Sequence, residues 1–379
     1  MRKNFLRIAL LLPCCLLLTS CWDEVTLQDL HYITALGIDY KTDSKQFEAF
    51  AHIVDVSAAA KKENGTDGKT VSFVGHAEGP TPNLALDELF RTMQMEPNVD
   101  HLMTLIVSES AAPRMQDVLD SLNRSRAVRY TVNLMGTSSE IPDLFQVSEL
   151  VSKSPLNTDI YQPNSNKYSK AFHNHWDLQK MVRTFTKGTG TAFIPNLDIG
   201  TPHWMSSSRQ IKLPYFNGAF VIEGKRYIGK FSEEELSGAR WFQGAIKDYT
   251  FPIRRDGQTI GTAVVQKAKG RVRYIRQGGG AFDLRLSVQF SVRELIDSAS
   301  NRELEKLAAE EIRSEIETTR EIARSRGADL FGLEETLYRF RLADWKRMQK
   351  EKTAIEKLPV RASVTVHLIT TGKLKSKLY

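Results

Sequence analysis

Two periods organise the apolar positions of this chain. In Gln46–Val56 the residues Phe47, Ala49, Ala51 and Ile53 recur at every second position, and Phe282, Leu284, Leu286, Val288 and Phe290 do the same. Each run predicts a strand with one buried face. Arg302–Arg326 carries Leu304, Leu307, Ala308, Ile312, Ile316 and Ala323 on one helical stripe, with Gly327 as its stop. Between these landmarks the chain alternates. Tyr32–Asp39 and Gln46–Val56 read as a hairpin, and Thr70–His76 as a further strand. Thr81-Pro82 opens a helix with Leu84, Leu86, Leu89, Phe90 and Met93 inward. Leu102–Val107, a helix over Ala112–Arg124 and Ala127–Gly136 follow, so an α/β layer is predicted over residues 22 to about 145. A helix is predicted over Lys170–Lys187.

Further along, Leu213–Ile222 and Lys225–Phe231 flank the turn Glu223-Gly224. Ser232 and Glu235 form a capping-box pattern that opens a helix toward Ile246. Thr259–Lys267 and Arg271–Arg276 read as strands, with Gly278-Gly279-Gly280 as a turn. Glu334–Lys350 is a second helix and Val360–Ile369 a last strand. The fold class expected is α/β (α+β), with helices packed on mixed sheets in three domains. They run over 22–195, 196–256 and 257–379, the last a sheet with two long helices.

Composition narrows the class. A chain of 379 residues, 41% hydrophobic and 26% charged, is globular and long enough for more than one core. Formal charge is +7, of which Arg2, Lys3 and Arg7 supply three at the extreme N-terminus. The rest is a mild excess with both signs interspersed, which argues against nucleic acid as a partner. The three cysteines are Cys14, Cys15 and Cys21, so nothing downstream can form disulfides or thiolate metal sites.

Those three basic residues precede an apolar run, Ile8–Leu18, that is interrupted by Pro13 and too short to span a bilayer. It reads as the core of a signal peptide covering residues 1–20. Leu18-Thr19-Ser20-Cys21 follows and resembles a bacterial lipobox. The resemblance implies cleavage between Ser20 and Cys21, with a diacylglyceryl group and an N-acyl chain on Cys21. A body so modified is held at a membrane, because two acyl chains suffice for stable anchoring.

Catalytic patterns are weak. His173-Asn174-His175 has neither an HExxH motif nor a third ligand beyond His203, so a metal site is disfavoured. Gly188-Thr189-Gly190 lacks the third glycine of a dinucleotide loop and reads as a turn. Glu233-Glu234-Glu235 reads as an acidic first helical turn. Neither GxSxG nor GxxxxGK[ST] occurs. No cofactor other than the lipid and no enzyme activity is expected.

Four patches share one resemblance. Cys21-Trp22-Asp23 leads into Ala35-Leu36-Gly37-Ile38-Asp39. Phe216-Asn217-Gly218-Ala219-Phe220-Val221 precedes Tyr227-Ile228-Gly229-Lys230-Phe231, Glu235 and Trp241. Asp329-Leu330-Phe331-Gly332 precedes Trp345-Lys346, and Val360–Ile369 runs into Thr370-Thr371-Gly372. In order and spacing they resemble the Ger(x)C family, the lipoprotein C subunits of spore germinant receptors. The resemblance implies a three-domain, non-catalytic protein on the outer face of the spore inner membrane. It also implies partnership with two integral membrane subunits, A and B. Ser20 stands where the family commonly has glycine, and Leu333 where a further glycine-bearing turn is often found. Burial preferences make Trp241 and Trp345 core anchors, whereas Phe331 and Gly332 are candidates for a partner contact or for a helix-terminal fold of the chain. A lipid-anchored solute-binding protein is the alternative, disfavoured because the chain shows no pair of duplicated lobes.

Overall fold

A computed structural model describes residues 30–54, 71–124, 127–147, 155–163, 176–200, 204–206, 209–244 and 246–370. The N-terminal part contains β1 (Leu30–Lys41), β2 (Gln46–Val54), β3 (Ser72–Gly79), α1 (Pro82–Phe90), β4 (Glu96–Asn98) and β5 (Thr104–Ser108). It continues with α2 (Met115–Asn123), β6 (Asn133–Thr137), α3 (Ile141–Gln146), α4 (Leu178–Lys187) and β7 (Thr191–Gly200). A short ribbon, β8 (Met205–Ser206) and β9 (Arg209–Gln210), precedes β10 (Leu213–Glu223) and β11 (Arg226–Phe231). These strands form a nine-stranded mixed sheet in the order β11-β10-β7-β6-β5-β1-β2-β3, with β4 beside β1.

The parallel centre β1-β5-β6-β7 explains the helical crossovers, since parallel neighbours need a long connection. Side chains of α1, α2 and α4, among them Leu89, Val118 and Met181, bury one face of the sheet. Ile141, Leu144 and Phe145 of α3, with Ile160 and Tyr161, bury the other. Thr81 caps α1 as expected, its hydroxyl accepting from Leu84 N–H at 3.2 Å. Leu84 itself is 49% exposed, and Ala85 takes the inward place expected for it. Asp177 caps α4 and sets its start at Leu178. The part of the expected 170–187 helix before Trp176 lies outside the described residues.

The C-terminal part consists of α5 (Ser237–Arg240), β12 (Thr250–Arg255), β13 (Gln258–Ile275), β14 (Ala281–Leu295), α6 (Asn301–Arg326), α7 (Leu333–Phe340), α8 (Leu342–Lys350) and β15 (Val360–Thr370). Its sheet runs β12-β13-β14-β15, antiparallel except for the parallel pair β14–β15. The helices cover one face only. Leu304, Ile312 and Ile316 of α6 pack on Phe282, Leu284, Leu286, Val288 and Phe290, the row predicted from alternation.

The sheets run across the positions expected as domain boundaries. The 195/196 position falls inside β7, and β10 and β11 extend the N-terminal sheet, so the only separate sheet described within 196–256 is the short β8–β9 ribbon. The 256/257 boundary is the turn of the β12–β13 hairpin, both strands of which belong to the C-terminal sheet. Turn residues mark where a chain reverses, not which sheet receives the next strand.

Local differences have local causes. The strands expected at 259–267 and 271–276 are one strand, because a bulge at Val265/Lys267 shifts the inward row without breaking pairing. The capping box at Ser232 forms, with Ser232 N–H to Glu235 at 2.7 Å and Glu235 N–H to Ser232 at 3.2 Å, but only the single turn α5 follows. Gly238 packs against the α6 backbone there, and the chain turns to bury Trp241. The 334–350 helix breaks at Arg341 (φ −145°), and α8 folds back so that Trp345 meets Tyr338 edge-on at 5.1 Å.

Candidate functional site

The two sheets meet where the C-terminal end of α6 lies against β7, β10 and β11. Ala323, Ala328 and Leu330 pack with Phe193, Ala219, Val221 and Phe231 in a separate apolar cluster that also takes Leu236 and Ala239. Arg326 crosses the seam, donating to Lys230 O at 2.8 Å while its guanidinium lies 4.4 Å from the Phe231 ring centroid.

The connector Asp329–Gly332 is the pivot of this junction. Thr191 of β7 donates its hydroxyl to Asp329 O at 2.7 Å, and the Glu223 carboxylate at the end of β10 accepts from Asp329 N–H. The Asp329 carboxylate accepts from Leu333 N–H and Glu334 N–H, each at 2.8 Å, and so caps α7. Burial pushes Glu223 up to about 7, with the neighbouring Asp329 carboxyl adding to the effect. Burial pushes Asp329 up to about 6 against the pull of its N–H donors. Raised carboxyls can mark an active site. Here each is already engaged by backbone donors, and neither lines the adjoining groove.

That groove, about 670 Å³, runs between the β13 edge and α7. Phe242 and Phe331 meet edge-on at 5.8 Å along it, and Arg271, Arg273, Arg339 and Arg341 are among its lining residues. Phe331 is 4% exposed and packs into the buried fold of the connector. Gly332 stands at φ +68°, the left-handed conformation that starts α7. A helix-terminal fold of the chain fits both positions, and both also line the groove.

A second polar cluster closes the N-terminal sheet where it is weakest. β6 and β7 share only the bridge Gly136–Asn196, and a Cβ on Gly136 would lie 2.5 Å from the Phe220 ring. Asp198 spans the gap. Its carboxylate accepts from Ser138 N–H (2.8 Å), Asn196 Nδ2 (2.8 Å), Asn217 Nδ2 (3.1 Å) and Lys230 Nζ (2.8 Å). Burial alone would raise this carboxyl, but Lys230 and the other donors outweigh it and hold it below its ordinary value. A carboxylate saturated by donors is a clamp and a poor general base. Nearby, Asp39 accepts from the hydroxyls of Ser108 and Ser110, with no histidine in the set to activate either serine. His52 is fully buried, stacked 5.0 Å from Phe145 and bonded to the Tyr161 hydroxyl, and burial lowers it to about 4.

Trp241 is fully buried and donates Nε1–H to Glu315 at 2.7 Å; Trp345 is partly buried and donates to Glu334 at 3.1 Å. Both are packing anchors, as burial preference suggested. Gly188 ends α4, and Gly190 O accepts from Gly224 N–H at 2.9 Å, so that glycine pair is a turn. Ser20, Cys21, His173, His175 and His203 lie outside the described residues. Among the described residues no group of three metal-ligating side chains occurs, and no helix is long and apolar enough to cross a membrane. Sequence reading overlooked Thr191, Glu223 and the Asp198 clamp. Their one signal was polar residues interrupting apolar strands, as in Phe193–Ile199.

Comparison with known proteins places this architecture. Residues 23–199 match the model of the spore germination protein N-terminal domain, and 217–372 match the spore germination B3/GerAC-like C-terminal domain. Spore germination protein KC of Bacillus subtilis strain 168 is 23% identical over 98% of this chain and 96% of its own length. Spore germination protein A3 of the same organism is 21% identical over 66% of this chain and 64% of its own. YfkR, also from that organism, is 27% identical over 42% of this chain and only 39% of its own length. The crystal structure of the GerBC protein superposes with a TM-score of 0.56 at 12% identity, covering 88% of this chain and 96% of that one, which establishes a shared fold. With both family domains matched in order over nearly the whole chain, this protein belongs to the Ger(x)C family of spore germination proteins.

Proposed function

We propose that this chain is the lipid-anchored C subunit of a germinant receptor. It acts in spore germination without catalysing a reaction, by assembling with integral membrane A and B subunits. The observation that carries the reading is the alignment with spore germination protein KC along essentially the full length of both chains. The Leu18-Thr19-Ser20-Cys21 sequence supports attachment through Cys21, and the spore germination relatives support the outer face of the spore inner membrane as the place of attachment. Confinement to that surface raises its effective concentration toward embedded partners, so individually weak contacts suffice. The engaged state of Asp198, Glu223 and Asp329 supports a scaffold in place of an enzyme.

Crosslinking in dormant spores tests the assembly. Recovery of two polytopic membrane subunits with this chain is expected, and a partner set lacking both overturns the receptor assignment. Cys21→Ala tests the anchor separately. The variant should leave the membrane fraction, and unchanged retention in intact spores would remove the lipid from the reading.

A further inference from the structure

The C-terminal sheet leaves one face without any helix, and that face is basic. Downstream of the β13 bulge, the outward positions are Lys267, Lys269, Arg271 and Arg273. Strand register extends them into four cross-strand rows. Arg273 lies opposite Asp283, which lies opposite Arg361; Arg271 lies opposite Arg285, which lies opposite Ser363. Lys269 heads a row continued by Ser287 and Thr365, and Lys267 one continued by Gln289 and His367. The six cations in these rows are all exposed, and Asp283 is the one carboxylate among them. Asp283 pairs with Arg285 at 2.6 Å; among the described residues the other five cations have no ion pair. Lys373, Lys375 and Lys377 follow β15 in the sequence.

Three strands and four rows occupy roughly 10 Å by 20 Å at ordinary strand spacings. Neighbouring charges are then within about one Debye length of each other and act as a single field. The arrangement is costly for the fold, because like charges opposite or diagonal on a sheet repel. Apart from the Asp283–Arg285 pair, and the groove that Arg271 and Arg273 also line, the fold makes no use of them among the described residues.

We propose that this face lies against an anionic phospholipid surface. The inference rests on the membrane location argued above and adds an orientation to it. The face is a regular array of cations on one side of a sheet, which suits a surface of phosphate charge. Its centre has no aromatic or large aliphatic side chain, so it lacks both the anchors of a protein interface and the stacking platforms of a single-strand nucleic-acid site. Polybasic surfaces gain affinity for anionic leaflets with each added lysine or arginine, about fivefold per charge.

The test uses the full chain carrying Cys21→Ala, so that the lipid anchor contributes nothing. Cosedimentation is measured with vesicles of phosphatidylcholine alone and with added phosphatidylglycerol, at low and high salt, alongside an oligonucleotide of matched charge. Binding is expected only to the phosphatidylglycerol vesicles, and it should weaken with salt. Changing Lys267, Lys269, Arg271 and Arg273 to Gln should cut it more than a hundredfold. Arg285→Gln with Arg361→Gln is a second variant, expected to weaken binding about twenty-fivefold, and serves if the first fails to fold. No binding to anionic vesicles at low salt overturns the proposal, as does equal binding by folded variants. Preferential binding to the oligonucleotide also overturns it. None of these outcomes depends on lipidation or receptor assembly, so the proposal can fail while the C-subunit reading stands.

Discussion

Glu223→Gln reads the energetics of the junction directly. Burial lifts the Glu223 carboxyl from its ordinary 4.5 to about 7. That difference is roughly 2.5 units, or about 3 kcal/mol at about 1.4 kcal/mol per unit. The folded protein therefore holds this proton more tightly than the unfolded chain does. The corresponding stability is complete below the unfolded value of 4.5 and is lost as pH rises through about 7. Glutamine keeps an acceptor for Asp329 N–H but cannot titrate. Urea unfolding of the wild-type and variant chains, both carrying Cys21→Ala, should converge in acid. The variant should gain on wild type by roughly 3 kcal/mol by about pH 7.5. Asp329, raised to about 6, gives both proteins a slope of its own in the same direction, which is why the difference between them is the quantity to follow. A difference that stays level across this window refutes the burial argument, and one that grows toward acid reverses its sign.

Two further substitutions test the packing around this seam. Gly218 stands at φ +74° with the position of a Cβ only 1.9 Å from Phe231 O, so Gly218→Ala should cost at least about 2 kcal/mol in thermal denaturation; a variant that melts like wild type contradicts the close approach. Trp241→Phe retains an aromatic ring but removes the donor to the buried Glu315, and a loss of about 1–3 kcal/mol is expected in chemical unfolding. An effect no larger than that of a surface substitution would show that the 2.7 Å bond contributes nothing.

Local pattern carried much of the architecture. The alternation in Phe282–Phe290 identifies the inward row of β14, and the stripe on Arg302–Arg326 identifies the buried side of α6, because side-chain direction along a regular element depends only on its period. Caps were equally legible, since Thr81, Ser232 and Gly327 act on backbone groups within a few residues of themselves. Asp329-Leu330-Phe331-Gly332 stood out as a motif, yet its work was not readable. Its partners Thr191 and Glu223 lie more than a hundred positions away in the chain. The Asp198 clamp was hidden because sheet pairing, not local pattern, gathers its donors: Asn196 on its own strand, Ser138 just after β6, Asn217 on β10 and Lys230 on β11.

Charge shows most clearly where sequence stops and tertiary structure begins. Over the chain as a whole lysine and arginine are interspersed with carboxylates, although the run Lys267–Arg276 holds none, so the sequence by itself establishes a mild cation excess and one locally basic strand. It also establishes the elements and their buried faces. Pairing β13, β14 and β15 side by side is what collects six outward cations on one face, while the acidic residues of α6 remain on the helical side. Period-two geometry determines which way each side chain points, and only strand register determines what stands beside it.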